Sequence, residues 1–176
     1  MVNSTMKYVI LDACVLGEFF SQYFSSCHAD RGHGYFVRSS KFSREATRVL
    51  NSVLIAHRSE DQFPTTKVVI TPLGMIELCR KWKDIVSDPL LELRVKALIE
   101  HLPDWIVIAS WDETILSAFI QLPDSVNIDG ESKPIEWTDA VYPATAISYG
   151  RGNIVISTDR RIKALADQSD SIFTCV

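Results

Sequence analysis

At 176 residues with 47% hydrophobic content, the chain is long enough for one well-buried core and too short for two ordinary domains, so residues 1–176 read as one domain. A formal net charge of −4 argues against a surface that grips a polyanion by bulk electrostatics, and any polyanion must be held locally. The longest apolar runs, residues 8–11 and 105–109, fall far short of the roughly 20 residues that span a bilayer, so no membrane helix is expected.

Residues 1–7 carry neither the basic flank nor the long apolar segment of a secretory signal, and a cytosolic protein is expected. Residues 8–11 form the first short β-rich run, and 67–71, 105–109, 153–157 and 171–174 repeat it further along. Between them, 13–24, 43–57, 72–82, 89–102, 112–122 and 138–149 show helical spacing; on 89–102, Leu91, Val95, Leu98 and Leu102 share one face. Thr71 and Asp112 suit helix caps, Pro72 suits a first helical position, and Gly150 and Gly152 follow a helix end. Residues 25–40 and 123–135 read as loops, the second polar and carrying Asp129 and Gly130. Strands alternating with helices imply an α/β fold with three α/β/α layers and a central, mostly parallel, Rossmann-like sheet of about five strands. Cys14, Cys27, Cys79 and Cys175 show no paired spacing, and Cys27, His28 and His33 lack a fourth zinc ligand at a familiar distance, so reduced thiols are expected.

In such a sheet, ligands gather beyond the carboxyl ends of the strands. Asp12 closes the first run, and Asp159 follows 153–157 after Thr158. Glu77 lies on the helix opened by Pro72, between Ile76 and Leu78, where a carboxylate needs a partner. Asp139 opens a helix of small residues, Ala140, Ala144 and Ala146, that can pack closely on the sheet. Taken singly, each acid also reads as a helix cap or a solvated carboxylate. Gathered in one pocket, they would repel and resist ionisation unless a divalent cation neutralised them, and hard oxygen donors suit Mg²⁺ or Mn²⁺.

The ordered set resembles the PIN domain family, whose motifs are a strand ending in aspartate, a helix glutamate, a helix-start aspartate followed by small residues, and a threonine and an aspartate two residues apart after a late strand. The matching residues are Leu11 and Asp12; Ile76, Glu77 and Leu78; Asp139 and Ala140 with Ala144, Thr145 and Ala146; and Ser157, Thr158 and Asp159. Each motif alone is weak, but the ordered set is fairly specific and its anchors span nearly the whole chain. The resemblance implies a divalent-metal-dependent endoribonuclease that hydrolyses RNA phosphodiester bonds. Asp12, Glu77, Asp139 and Asp159 would be catalytic and metal-holding, Ser157 and Thr158 would support them, and Mg²⁺ or Mn²⁺ would be the cofactor. In bacteria such proteins are often the toxin of a toxin–antitoxin pair and commonly homodimeric, so RNA, an antitoxin protein and a second copy are the implied partners. The chain departs from the family pattern at Cys14, where a small hydroxyl or amide residue is usual, and at Ser157, which replaces threonine but keeps the hydroxyl. Pro143, inside the helix that Asp139 opens, is expected to kink it or shift its start, and residues 25–40 are longer than compact members require.

Phosphate groups need local cations, which makes Arg160, Arg161, Arg38 and Arg44 candidate RNA contacts, with Lys41, Arg48 and Lys163 nearby, although a charge run is more often a solvated helix face. The helix pair 13–24 and 43–57 offers an apolar surface suited to an antitoxin peptide or a second subunit. A haloacid-dehalogenase-like phosphatase would need a second aspartate at Cys14, a receiver domain would need an acidic pair after the first strand, and a dinucleotide-binding domain would need the glycine fingerprint; none is present. The non-enzymatic alternative is a catalytically degenerate PIN domain acting as an RNA- or protein-binding module.

Overall fold

A computed structural model describes residues 6–24, 34–59, 66–83, 87–169 and 172–176. In chain order its elements are β1 Lys7–Leu11, α1 Ala13–Gln22, α2 Arg44–Arg58, β2 Thr66–Ile70, α3 Pro72–Lys83, α4 Asp88–Glu100 and β3 Ile106–Ile108. There follow α5 Glu113–Ile120, β4 Ser125–Ile128, β5 Glu131–Pro134, α6 Trp137–Ser148, β6 Asn153–Ile156, α7 Arg160–Gln168 and β7 Phe173–Cys175.

The strands β3, β2, β1, β6 and β7 form, in that order, a five-stranded sheet in which every pairing is parallel. Both faces are covered. Val9 and Leu11 of β1 point into one core with Phe19, Leu50 and Leu78, whereas Ile10 between them points into the other with Tyr142, Val155 and Leu165. Burial on both sides is why the strands read as continuous apolar runs rather than alternating ones. The α/β fold with its parallel sheet is the one expected from the sequence.

The chain runs from β1 outward through β2 to β3, then returns to place β6 on the other side of β1. The switch point of the sheet therefore lies between β1 and β6, where Leu11 pairs with Ile156. Beyond that pair the backbones stay joined, the Asp12 N–H donating to the Ile156 carbonyl at 3.1 Å. Parallel register thus sets Asp12 beside Ser157.

The structure corrects several local expectations. Residues 123–135, read as a loop, hold an antiparallel hairpin of β4 and β5. Its two turn residues, Asp129 at φ 55° and Gly130 at φ 85°, both adopt the left-handed conformation that a tight hairpin turn demands, and Asn127 Oδ1 accepts from the Gly130 N–H at 2.9 Å. The helix α7 was not anticipated. Asp159 caps it, and Ile162, Leu165 and Ala166 bury its apolar stripe. The last strand sits slightly later than expected, over Phe173–Cys175. Pro143 lies inside α6, whose start is Trp137 rather than Thr138, and the missing N–H leaves the Asp139 carbonyl without its ladder donor. Cys27, His28, His33, much of 25–40 and the side chain of Leu91 lie outside the described residues.

Candidate functional site

Asp12 leaves β1 in extended conformation and caps α1, its Oδ1 accepting from the Cys14 N–H at 3.3 Å. Only 6% exposed, its other oxygen accepts from the Ser157 hydroxyl and from the Cys14 thiol, the latter at 3.0 Å. The Thr158 hydroxyl and N–H donate to Cys14 Sγ at 3.3 and 3.4 Å. Cys14 thus makes contacts that a hydroxyl would make, linking the end of β1 to the segment after β6. Burial, reinforced by the Asp12 charge, raises its thiol above the ordinary range, so it stays a protonated donor to the carboxylate.

Ser157 Oγ also accepts from the Asp159 N–H at 2.9 Å, which turns the chain into α7. Asp159 caps that helix through the Arg161 N–H at 2.6 Å, and the Arg161 guanidinium folds back on the same carboxylate, with Nη2 3.0 Å from Oδ2. The same Nη2 lies 2.7 Å from Asp139 Oδ2, and Nη1 lies 3.2 Å from Glu136. Burial acts to raise the Asp159 pKa, but the Arg161 hydrogen bonds outweigh it and hold the carboxyl below the usual range. Asp139 fares differently. Burial, aided by the charges of Asp159, Glu136 and Asp12, pushes it up to about 6 despite Arg161, and its Oδ2 accepts no well-directed hydrogen bond.

Glu77 is carried by α3, which enters from β2 through Thr71, whose hydroxyl accepts from the Gly74 N–H at 3.0 Å. Partial burial and the Asp12 charge raise the Glu77 pKa, with Lys81 and Arg80 opposing. Tyr142, on α6, is 1% exposed, and its hydroxyl stands in the field of Asp12 and Glu77. Sequence reading missed it; the only signal was a polar-tipped aromatic side chain on a buried helix face otherwise lined by Ala140, Ala144 and Ala146.

Asp12 and Asp159 thus stand past the carboxyl ends of β1 and β6, and Glu77 and Asp139 feel the Asp12 charge, so the sequence-selected acids form a hard-oxygen set in which the buried Asp139 Oδ2 is held by the Arg161 ion pair alone. That chemistry fits Mg²⁺ or Mn²⁺. Among the described residues, however, no three acidic, cysteine or histidine side chains are gathered closely enough to hold an ion as they stand. Arg161 supplies the positive charge between Asp139 and Asp159. Of the other candidate RNA contacts, Arg160 is exposed and pairs with Asp129 at 2.7 Å, while Arg38 and Arg44 are exposed. Arg44 lines a groove of about 930 Å³ with Arg48, Lys163 and Val176. Val176 accepts from the Ser157 N–H, so the groove adjoins the acid cluster.

The chain shares its fold with the solved structure of VapBC-1 from nontypeable Haemophilus influenzae. The match has a TM-score of 0.53 and covers 96% of both chains, at 14% sequence identity. No family model and no curated protein matches the sequence. Among the described residues, no helix is long and apolar enough to cross a membrane. The apolar face of α2, with Leu50 and Val53, is buried in the core, so the helix pair expected to offer a docking surface offers little of it there. An exposed apolar groove of about 460 Å³ lies instead between α1, α3 and α4, lined by Phe20, Phe24, Trp82 and Leu98.

Proposed function

We propose that the chain is a divalent-metal-dependent endoribonuclease, related in role to the toxins of toxin–antitoxin pairs. The observation that carries this reading is the placement of Asp12 and Asp159 just past adjacent strand ends at the switch point of a parallel sheet, where such folds bind ligands, with Glu77 and Asp139 within electrostatic reach of Asp12. Asp12, Asp139 and Asp159 would hold Mg²⁺ or Mn²⁺, with Glu77 beside them. The ion, when bound, supplies Lewis acidity toward the phosphate and lowers the pKa of an attacking water. The protein's own residues do the rest. Ser157, Cys14 and Thr158 fix Asp12 in one orientation, and Arg44 and Lys163 offer cations along a groove that leads to the acids. Arg161, released from Asp139 and Asp159, is within reach of a phosphate bound there.

The shared fold with VapBC-1 supports an antitoxin protein as partner, and the apolar groove between α1, α3 and α4 is a surface suited to its peptide or to a second copy of this chain. The test is cleavage of a mixed RNA pool by purified wild type and Asp12→Asn, with Mn²⁺ or Mg²⁺ and with chelator. Cleavage that needs metal and is lost in the variant is the expected result; equal residual cleavage in both sinks the reading. A second reading, a degenerate PIN domain that binds RNA or protein without cutting, is favoured by one observation, the occupation of the acid cluster by Arg161. It predicts RNA binding without metal and no cleavage under any condition.

A further inference from the structure

Helix α4 shares little of its surface with the rest of the fold. Of its described side chains only Leu98 is buried, with Val95 half-buried against the same core, while Leu90, Leu93 and Ile99 are exposed at 53%, 63% and 49%. A helix in a folded protein is stabilised chiefly by burying an apolar face, and one that is apolar on more than one side calls for a second cover.

The uncovered side is the seam with α3. Ile76, Cys79, Arg80 and Lys83 follow one another on α3 at the spacing of a single helical stripe, and Glu92, Val95, Lys96 and Ile99 do the same on α4. Two exposed grooves of about 620 and 390 Å³ run between the stripes and share Cys79, Lys83, Val95 and Ile99, so they form one continuous depression. It lies on the other side of α4 from the groove that Arg94, Ala97 and Leu98 line with Phe20.

The charges at its rims select what covers it. The α3 rim carries the cations Arg80 and Lys83, whereas the α4 rim carries the carboxylates Glu92 and Glu100, the second paired with Lys96 at 4.0 Å. A partner of one charge sign would meet a like charge along one rim. A surface that is cationic on one edge, carries carboxylates on the other and is apolar between them is complementary to itself. A second copy, turned by half a revolution about an axis along the seam, sets each α3 over the other α4. Arg80 and Lys83 of each copy then face Glu92 of the other, and the apolar floor of Ile76, Val95 and Ile99 closes on its counterpart.

We propose that the seam between α3 and α4 is a two-fold interface through which two copies of this chain associate. It leaves the groove beside Phe20 open, and it depends on neither the metal nor the RNA of the nuclease reading.

The experiment is sedimentation velocity of the full chain in reducing buffer, over a concentration series across the micromolar range, for wild type, Arg80→Glu, Glu92→Arg, the double variant and Ile99→Glu. Wild type is expected to show a dimer whose share grows with concentration. Each single reversal sets like charges against each other and should weaken the dimer about tenfold, and the double variant, which only exchanges the partners, should regain most of that loss. Ile99→Glu places a carboxylate at the centre of the seam and should leave a monomer at every concentration. All three positions are exposed in the single copy, so melting of dilute samples should match wild type; if Ile99→Glu melts lower, the charge-reversal set decides. Wild type that stays monomeric overturns the proposal and gives the seam to a different partner. A dimer indifferent to these changes overturns it in favour of another face, and a double variant no tighter than the single ones overturns the two-fold pairing. None of these outcomes touches the nuclease reading, which RNA cleavage tests separately.

Discussion

Asp12 and Asp159 answer to the architecture in a way that Glu77 and Asp139 do not. The first two stand just past strand ends, each caps the helix that follows, and both oxygens of each accept hydrogen bonds. The other two sit on helix faces, burial raises their pKa, and Asp139 keeps an oxygen with no well-directed donor. One pair is satisfied by the fold itself, whereas the other is held against the cost of its burial. Substitutions in the strand-end pair should therefore damage stability and activity together, while those in the helix pair should separate the two.

The largest effect is expected at Asp12. Asp12→Asn should reduce metal-dependent RNA cleavage on the order of 10³-fold, read by gel assay against chelated controls. Asp12→Ala should in addition lose about 2 kcal/mol of stability in urea unfolding, having lost a cap and buried acceptors; an Asp12→Ala protein as stable as wild type would break the comparison at its first half.

For the helix pair the sign reverses. Asp139 protonates at about 6 in the fold and near 3.8 when unexposed to it, so between those values the folded chain holds the extra proton. Metal-free stability should therefore rise as pH falls from 7 through 6, by up to about 3 kcal/mol once the unfolded chain also protonates. Melting temperatures of wild type and Asp139→Asn across pH 5–7 check this. The variant should flatten the slope, and an unchanged slope would assign the term to another group.

Arg161 is the link between the pairs. Arg161→Gln should lower metal-free stability by about 1–2 kcal/mol by leaving Asp139 and Asp159 without a counter-charge. Mn²⁺ should then raise the melting temperature more in the variant than in wild type, because the ion no longer competes with a guanidinium. A smaller rise would mean that Arg161 organises the acids for the ion rather than opposing it. The smallest change is expected from Cys14→Ser, whose hydroxyl can make the same contacts to Asp12 and Thr158. Its stability in urea should stay within about 1 kcal/mol of wild type, and a larger loss would mean that the thiol's bulk is what counts.

Much of this was legible in the chain. Apolar runs ending at Asp12 and, one short segment later, at Asp159 marked strand ends at the margin of the sheet, because a parallel sheet buried on both faces leaves polar groups only there. Helix α7 and the hairpin at Asp129 and Gly130 had signals that went unread, namely the spacing of Ile162, Leu165 and Ala166, and a two-residue turn beside Val126 and Ile128.

The strands of the parallel sheet, most of the helices and the strand-end places of Asp12 and Asp159 were determined by sequence alone, since periodicity and strand-end carboxylates are local properties. Only the tertiary structure decided that β6 lies against β1, that Arg161 turns back onto Asp159 and Asp139, and that the Tyr142 phenol is buried in the field of Asp12 and Glu77. These depend on strand order and on the direction each side chain takes from its helix. Both are set by long-range packing that no local window of the chain contains.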